Sequence, residues 1–518
     1  MTRLALAPAT ALAAILALPA YADVTAEEVW HNLSRPIAAM GVNVAASPMR
    51  EGDVLRVGPV IYSYELPEDA GRVELRSVGP EITEAGDGTV TLLWPEEMEI
   101  TLDVDAVVEG EPAHFRAAMD MTLDQQGSAS GTPGSITYET TGSSLSLTLT
   151  EVEIEDPTGP DLPPEMDGPP NFAFFMDYEM DSTSTITAEG EGPVSMTADV
   201  TMTDMVQDLM MELPGETSTR SVSTAEQMTT TARIELPAEA PDMTNLAAAL
   251  SRGLSLEVTT DGSNSQSQSV SSDFDSQVTM DQMQSLGHQT GTVRLNADGL
   301  FFDAAARDFA LDITAPDIGF PISLTAQSGS FNMTVPLMAS EETQEGRYAF
   351  RFEELNGSDD LWAMIDPTGA LPHDPVTMGL VLTADLVILQ DLLDFDGMRE
   401  MIDAGESPID LTSIAFGNFD VQALGAQLTG DGSFDVDLTP LIETGAEPIL
   451  DGTAEFDLTG LNAALDTLSS SGMIPPQAIM GVRMSIGMFA EVSGEDALHS
   501  LIEVRPDGSV LANGQPIR

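Results

Sequence analysis

Long runs in which apolar and polar residues alternate one by one constrain this chain more than any other feature. Ile100, Leu102, Val104 and Ala106 alternate with Glu99, Thr101, Asp103 and Asp105, and Phe115, Ala117, Met119, Met121 and Leu123 follow the same rule. Val194, Met196, Ala198, Val200 and Met202 form a third run. A period of two puts one side chain set on each face of a strand, so these segments predict antiparallel sheets with an apolar face and an acidic, Thr-rich face in water. A doubly wound parallel sheet needs continuous apolar strands separated by helices, and that pattern is missing. The fold class expected is mainly β: an extended antiparallel, twisted or curved sheet or stacked sheets, with an N-terminal helix and short helices in the C-terminal half.

Turn and bulge signals refine this. Gly86-Asp87-Gly88, Thr141-Gly142, Gly430-Asp431-Gly432 and Pro506-Asp507-Gly508 each separate alternating segments and read as hairpin turns. Leu145, Leu147 and Leu149 lie in one phase and Val152 and Ile154 in the other, which predicts a bulge at Thr150-Glu151. The Ser/Gln run 263–272 reads as a loop tip or a polar edge strand. Prolines 157, 160, 163, 164, 169 and 170 make 157–170 a stiff loop or linker.

Thr25-Ala26-Glu27-Glu28 is a capping-box pattern, with Val29, Leu33, Ile37 and Met40 behind it at helical spacing and a bend expected at Pro36. Short helices are expected over 243–252 and 358–365, two more over 386–401, and one around Leu461, Leu465 and Leu468. A last one opens at Pro475-Pro476 and carries Ile479, Val482, Ile486 and Phe489; it is apolar nearly all round and is therefore expected to be buried.

The first residues read as an export signal: Arg3, an apolar stretch over 4–18, and Ala20-Tyr21-Ala22 before a cleavage that leaves Asp23 first. The organisation expected is a signal peptide (1–22), an N-terminal β-rich region (23–240), a middle β-rich region with short helices (241–375) and a C-terminal α+β region (376–518). One long curved sheet is the alternative. The mature chain is expected to be periplasmic or secreted, with no transmembrane span, because no later stretch reaches the roughly 18 or more apolar residues a helical span needs.

Composition then removes whole chemistries. All 18 basic residues are arginine, so lysine nucleophiles and Schiff bases are excluded, and the absence of cysteine excludes thiol catalysis, iron–sulfur clusters, Cys-ligated zinc and disulfides. A net charge of -67 repels nucleic acid. The five histidines, His31, His114, His288, His373 and His499, are scattered and form no metal-binding spacing, and no G-x-S-x-G elbow is present. Asp103-x-Asp105, Asp394-x-Asp396 and Asp435-x-Asp437 lack the spacing of a calcium loop. A triad or carboxylate pair assembled only in space is not readable from sequence. No catalytic, cofactor or metal residue is therefore assigned, and no cofactor.

The 28 methionines are the informative excess. Met119-x-Met121 is in phase with Phe115 and Leu123 and reads as core rather than a copper pair, yet a Met-rich sheet face is also adaptable enough for irregular apolar ligands.

The Ala22–Trp30 run, the Gly86-Asp87-Gly88-Thr89-Val90 hairpin, Leu361-Trp362 leading to Leu371-Pro372-His373-Asp374-Pro375, and the closing Asp507-Gly508-Ser509-Val510 with Asn513-Gly514 resemble the family catalogued as domain of unknown function 2125. The resemblance implies an exported alphaproteobacterial protein of uncharacterised role and carries over no catalytic residue. The helix-plus-hairpin ending is also similar in style to AsmA-like envelope proteins, whose long curved sheets are associated with lipid handling. The function expected is a non-enzymatic envelope protein that binds a lipid-like ligand or an apolar partner on a sheet face. The alternative is an acidic structural or divalent-cation-binding scaffold.

Overall fold

The computed structural model describes residues 24–67, 70–108, 111–155, 171–213, 217–273, 279–315, 318–367, 369–470 and 474–517. The expected signal segment, with Ala20, Ala22 and Asp23, and the stretch 157–170 lie outside the described residues.

Helix α1 (Ala26–Ala39) opens the described chain, and its capping box is formed: the Thr25 hydroxyl accepts from Glu28 N while the Glu28 carboxylate accepts from Thr25 N. β1 (Asn43–Glu51) and β2 (Val54–Leu66) then make a hairpin. The next two rungs are each broken in two. β3 (Gly71–Val78) and β4 (Glu81–Glu84) both pair with β2, in line with each other. β5 (Val90–Leu93) and β6 (Glu97–Val108) line up in the same way between that rung and β7 (Glu111–Thr132).

From there an antiparallel meander runs through β8 (Ser135–Glu155), β9 (Asn171–Ala188), β10 (Val194–Leu213), β11 (Thr217–Leu236), β12 (Ser255–Asp273), β13 (Thr279–Asn296) and β14 (Gly299–Thr314). It continues through β15 (Ile322–Val335), β16 (Gln344–Gly357), β17 (Val376–Ile388), β18 (Ile409–Ala423), β19 (Ala426–Asp437) and β20 (Ile449–Thr459). β22 (Ala497–Val504) pairs with β20 on one side and, on the other, with β21 (Glu491–Gly494) and β23 (Val510–Ala512); β24 (Gln515–Pro516) closes the sheet of 24 strands. Short helices sit in the connections: α2 (Leu246–Ser251), α3 (Asp359–Ile365), α4 (Phe395–Asp403), α5 (Thr439–Thr444), α6 (Leu461–Ser470) and α7 (Pro476–Phe489).

The sheet rolls around α1. That helix touches β1, β2, β4, β9 and β10. β1 and β10 stand seven rungs apart, roughly 34 Å in a flat sheet, three times the helix diameter of about 10–12 Å. Contact with both therefore requires the sheet to curl back on itself. The core formed inside the roll includes Val29, Val60, Ile82, Val90, Leu92, Ile136, Ile186 and Val194, with Trp30 and Trp94 packed against it. Asn32 ties helix to wall: its Nδ2 donates to the Ile186 carbonyl and its Oδ1 accepts from the Tyr138 hydroxyl at 2.7 Å.

Several expectations need correction. Thr141-Gly142 and Gly430-Asp431-Gly432 lie inside β8 and β19, not at hairpin tips; a Cβ on Gly432 would come 2.7 Å from the Phe416 ring, so glycine there makes room for an aromatic neighbour. The tip between β18 and β19 is Leu424-Gly425, both left-handed, as a two-residue I′ hairpin requires. The polar run 263–272 is an interior strand, β12, paired on both sides, with the Ser223 hydroxyl donating to Ser267 across the ladder. Only one helix, α4, forms in 386–401, because Leu386–Ile388 finish β17. Finally, α7 buries only Ile479, and Met480, Val482, Met484, Met488 and Phe489 are exposed, contrary to the buried helix its composition suggested.

The bulge at Thr150 is present: Ala118 pairs with Glu151 and Met119 with Leu149, leaving Thr150 to hydrogen-bond the Ala118 carbonyl through its side chain.

Candidate functional site

Residues paired across antiparallel strands share a face, so the register traces what each face carries. One row runs from Val90 through Ala129, Tyr138, Ser184, Ala198, Ala232, Val258, Val293, Phe302, Met333, Tyr348, Leu382, Phe416, Gly432, Ala454 and Ile502 to Ala512. Ser184 is the single side chain in it that is neither apolar nor, as in Tyr138 and Tyr348, aromatic. The row beside it, Ile136–Ile186–Met196–Ile234–Leu256–Leu295–Leu300–Val335, is wholly apolar. α1 covers this face at its N-terminal end, where Tyr138, Ile136 and Ile186 are buried. Further along, Tyr348, Phe352, Leu382 and Ile414 on the same face remain exposed, Phe352 and Leu382 by 42% each.

The exposed part contains an apolar groove of about 420 Å³. Its floor is small, Ala304, Ala306, Ala326 and Gly329, and its walls are Phe309, Phe331, Phe352, Leu355 and Met378. Register explains the shape, since Ala304 sits opposite Phe331 and Gly329 opposite Phe352. Phe302, Phe331, Tyr348 and Phe350 continue from it as an edge-to-face series with centroids 5.2–6.2 Å apart. Among the described residues no titratable side chain lines the groove.

The groove borders a seam that the sequence reading missed. Asp204 in β10, Asn264 in β12, Asp308 in β14 and Glu354 in β16 are left-handed, with φ of 47–54°, and they stand at matching register on alternate strands; Asn418 in β18 is left-handed too but lies opposite Leu380, off that line. At Asp204, Asp308, Glu354 and Asn418 the apolar phase switches, whereas Asn264 opens the polar Ser/Gln half of β12. In β14 the phase is even at Leu300, Phe302, Ala304 and Ala306 and odd at Phe309, Leu311 and Ile313, with Asp308 between. The switch keeps the same face apolar on both sides of the left-handed residue, and the same phase change in the sequence could have located it.

The opposite face is polar. Glu139, Thr183, Asp199, Thr231, Thr259, Thr292, Asp303 and Asn332 form the neighbouring row, laced by Thr231 donating to Asp199 and Asn332 to Asp303. An open depression of about 770 Å³ on that side gathers Arg347 and Arg351 with Asp420, Asp431 and Glu455. Hydrogen bonds from Arg351 and then Ser328 hold the Glu353 carboxyl below its ordinary range.

The residues weighed in the sequence do not converge. His114, His288 and His499 each face one aspartate on the sheet surface, Asp105, Asp261 and Asp457, while His31 is exposed on α1. His373 stacks on Trp362 at 4.4 Å, 3.9 Å from the buried Asp366. Asp103 pairs with Arg116, Asp394 caps α4, and Asp437 accepts from Thr439 N. Met119 and Met121 are half-buried in the sheet face. Among the described residues no group of three or more His, Asp or Glu side chains is placed to hold a metal ion, and no helix is long and apolar enough to cross a membrane.

No curated protein and no solved structure matches this chain, so the similarity in style to AsmA-like proteins finds no support there. A family model described as an uncharacterized protein conserved in bacteria matches residues 230–517, which include the groove, the seam from Asn264 onward and every helix after α1. The chain belongs to that family, DUF2125.

Proposed function

We propose that this protein is an exported, non-enzymatic envelope protein that holds a lipid-like ligand against the uncovered part of its apolar sheet face. The observation that carries the reading is the groove bounded by Phe309, Phe331, Phe352 and Met378, open on the face that carries the two long apolar rows. A contiguous exposed apolar surface needs a reason in a soluble environment, and a pocket of this size falls within the roughly 300–1,000 Å³ typical of ligand sites. A lining whose only polar side chains are Gln289, Thr290 and Ser330, with no described acid or base beside them, favours holding over turnover. Export is supported by the composition of residues 1–22. The scaffold reading, with charge itself as the function, has no comparable geometric support.

Native mass spectrometry of the mature protein from a periplasmic extract, before and after organic extraction, tests this directly. Discrete apolar adducts are expected in the wild type and lost in Ala306→Trp, which fills the groove floor. Bare wild-type protein, together with no saturable binding of a fluorescent sixteen-carbon fatty acid, would overturn the reading.

A further inference from the structure

Helix α7 is firmly held on one flank and bare on the other. Ile479 is buried, Arg483 pairs with Asp466 of α6 at 2.7 Å and donates to the Asn462 carbonyl, and the Phe489 carbonyl accepts from the Ser500 hydroxyl and the Asn513 amide. The free flank carries Met480, Met484 and Met488, one per turn, 71%, 71% and 63% exposed. Between them lie Gln477, Gly481 and Gly487, so that flank has no charged side chain in a chain of net charge -67.

The C-terminal end of α7 is close along the chain to the end of one row of the apolar sheet face. From Phe352 in the groove wall the register runs through Met378, Val421, Leu428, Leu458 and Leu498 to Val492. Val492 is 80% exposed and lies three residues beyond the end of α7. The row that borders the groove therefore ends four residues along the chain from Met488, the last methionine of the stripe.

We infer that the Met480–Met484–Met488 flank of α7 lies on a zwitterionic lipid bilayer and sets the end of the apolar row against that surface. The inference rests on reading the sheet face as a lipid site. Charge selects the occupant. A second copy would bring another net -67 to the contact, and anionic headgroups meet the same repulsion, with the one arginine of α7 already paired. An uncharged flank meets no such barrier at a zwitterionic surface. Fourteen residues make about 21 Å of helix, short of the roughly 30 Å hydrocarbon core, so α7 lies in the interface rather than across it. Unbranched methionine side chains suit the irregular chains they would enter.

The test uses the full mature chain and phosphatidylcholine vesicles. Because the protein has no cysteine, Met484→Cys carrying an environment-sensitive dye reports this flank alone. Co-flotation with vesicles and a blue shift are expected, with at least a tenfold loss of vesicle partitioning in the M480D/M484D/M488D triple variant and in its milder Gln counterpart. Fatty-acid binding without vesicles should be unchanged in both variants, and lost in Ala306→Trp, which should still float. Wild-type protein that stays at the bottom of the gradient, or triple variants that float as well as wild type, overturns the inference while leaving the groove reading intact. A blue shift that grows with protein concentration and needs no vesicles assigns the flank to a second copy instead.

Discussion

Replacing Asn32 by leucine should loosen the N-terminal roll by about 2–3 kcal/mol. The side chain is 1% exposed and bridges α1 to two strands of the wall. Leucine keeps the shape and removes both bonds. The Tyr138 hydroxyl, itself buried, is then left with only the Val29 carbonyl at 3.5 Å, and the Ile186 carbonyl loses a 3.3 Å donor. Stranding a buried hydroxyl costs about 1–3 kcal/mol, and weakening a long bond to a carbonyl adds a fraction of the usual 0.5–1.5. Tyr138→Phe makes the converse cut and strands Asn32 Oδ1, for about 1–2 kcal/mol. The double variant removes both partners together, so its cost should fall short of the sum by roughly 1–2 kcal/mol. Trp30 and Trp94 pack against this core, so urea unfolding followed by tryptophan fluorescence in a Trp362→Phe background reads this end of the sheet. A single Asn32→Leu cost below about 0.5 kcal/mol, or strict additivity in the double variant, would refute the claim that this pair fastens the helix to the wall.

Three further perturbations probe other parts. The Glu84 carboxyl is held below its ordinary value of 4.5, first by hydrogen bonds from Arg50 and then by Ala26 N at the start of α1. A lowered folded-state value gives stability that is present above 4.5 and lost as pH falls through the folded value, so Glu84→Gln should cost on the order of 1 kcal/mol at pH 7 and converge with wild type in acid; a pH-independent difference in melting temperature contradicts this. Asp308 adopts φ of 54°, where a Cβ is unfavourable by roughly 1–2 kcal/mol, so Asp308→Gly should hold or raise the melting temperature and Asp308→Val should lower it; the reverse order would show that the seam is not under backbone strain. A Cβ on Gly452 would collide with the Ser433 carbonyl and lie 2.7 Å from Phe434 Cα, so Gly452→Ala should cost about 1–3 kcal/mol, and a wild-type melting temperature would contradict the close β19–β20 approach.

What the sequence disclosed was whatever its local patterns encode. Thr25 and Glu28 are three residues apart, and their capping box formed as read. Alternation located the strands, and the phase change around Thr150 located a bulge. The same signal at Asp308 went unread because Ala304-Ala305-Ala306 blurs the apolar phase just before the switch. Gly430 and Gly432 mislead for a different reason: they answer to Phe456 and Phe416 on neighbouring strands, and only register brings those rings to them. The Ser/Gln strand β12 is stabilised by the Ser223 hydroxyl on β11, which donates to Ser267, and the Asp281 carboxylate on β13, which accepts from Gln268, and no local window contains these partners. The groove was invisible for the same cause, since its floor and walls come from different strands. α7 shows the limit of composition, because an apolar helix is buried only if something stands above it.

The acidity and the apolar face are two sides of one design problem. A long meander with an uncovered apolar face should stack on its own copies, because sheets pack face to face about 10 Å apart wherever both faces are apolar. Here α1 closes the N-terminal part by filling the roll, which leaves only the part beyond it open to a second copy. Charge supplies the remaining protection. The row beside the long apolar one places Glu139, Asp199 and Asp303 on the outer surface, and the whole chain carries 85 acidic side chains against 18 arginines. Any second copy approaching the open face brings the same field with it, at distances within the Debye length of about 8–10 Å where salt does not cancel it. A lipid chain brings no field and is thin enough to lie along Ala304, Ala306 and Gly329 between the phenylalanine walls. On the proposed reading, the excess of acid acts as a filter on what the apolar face meets.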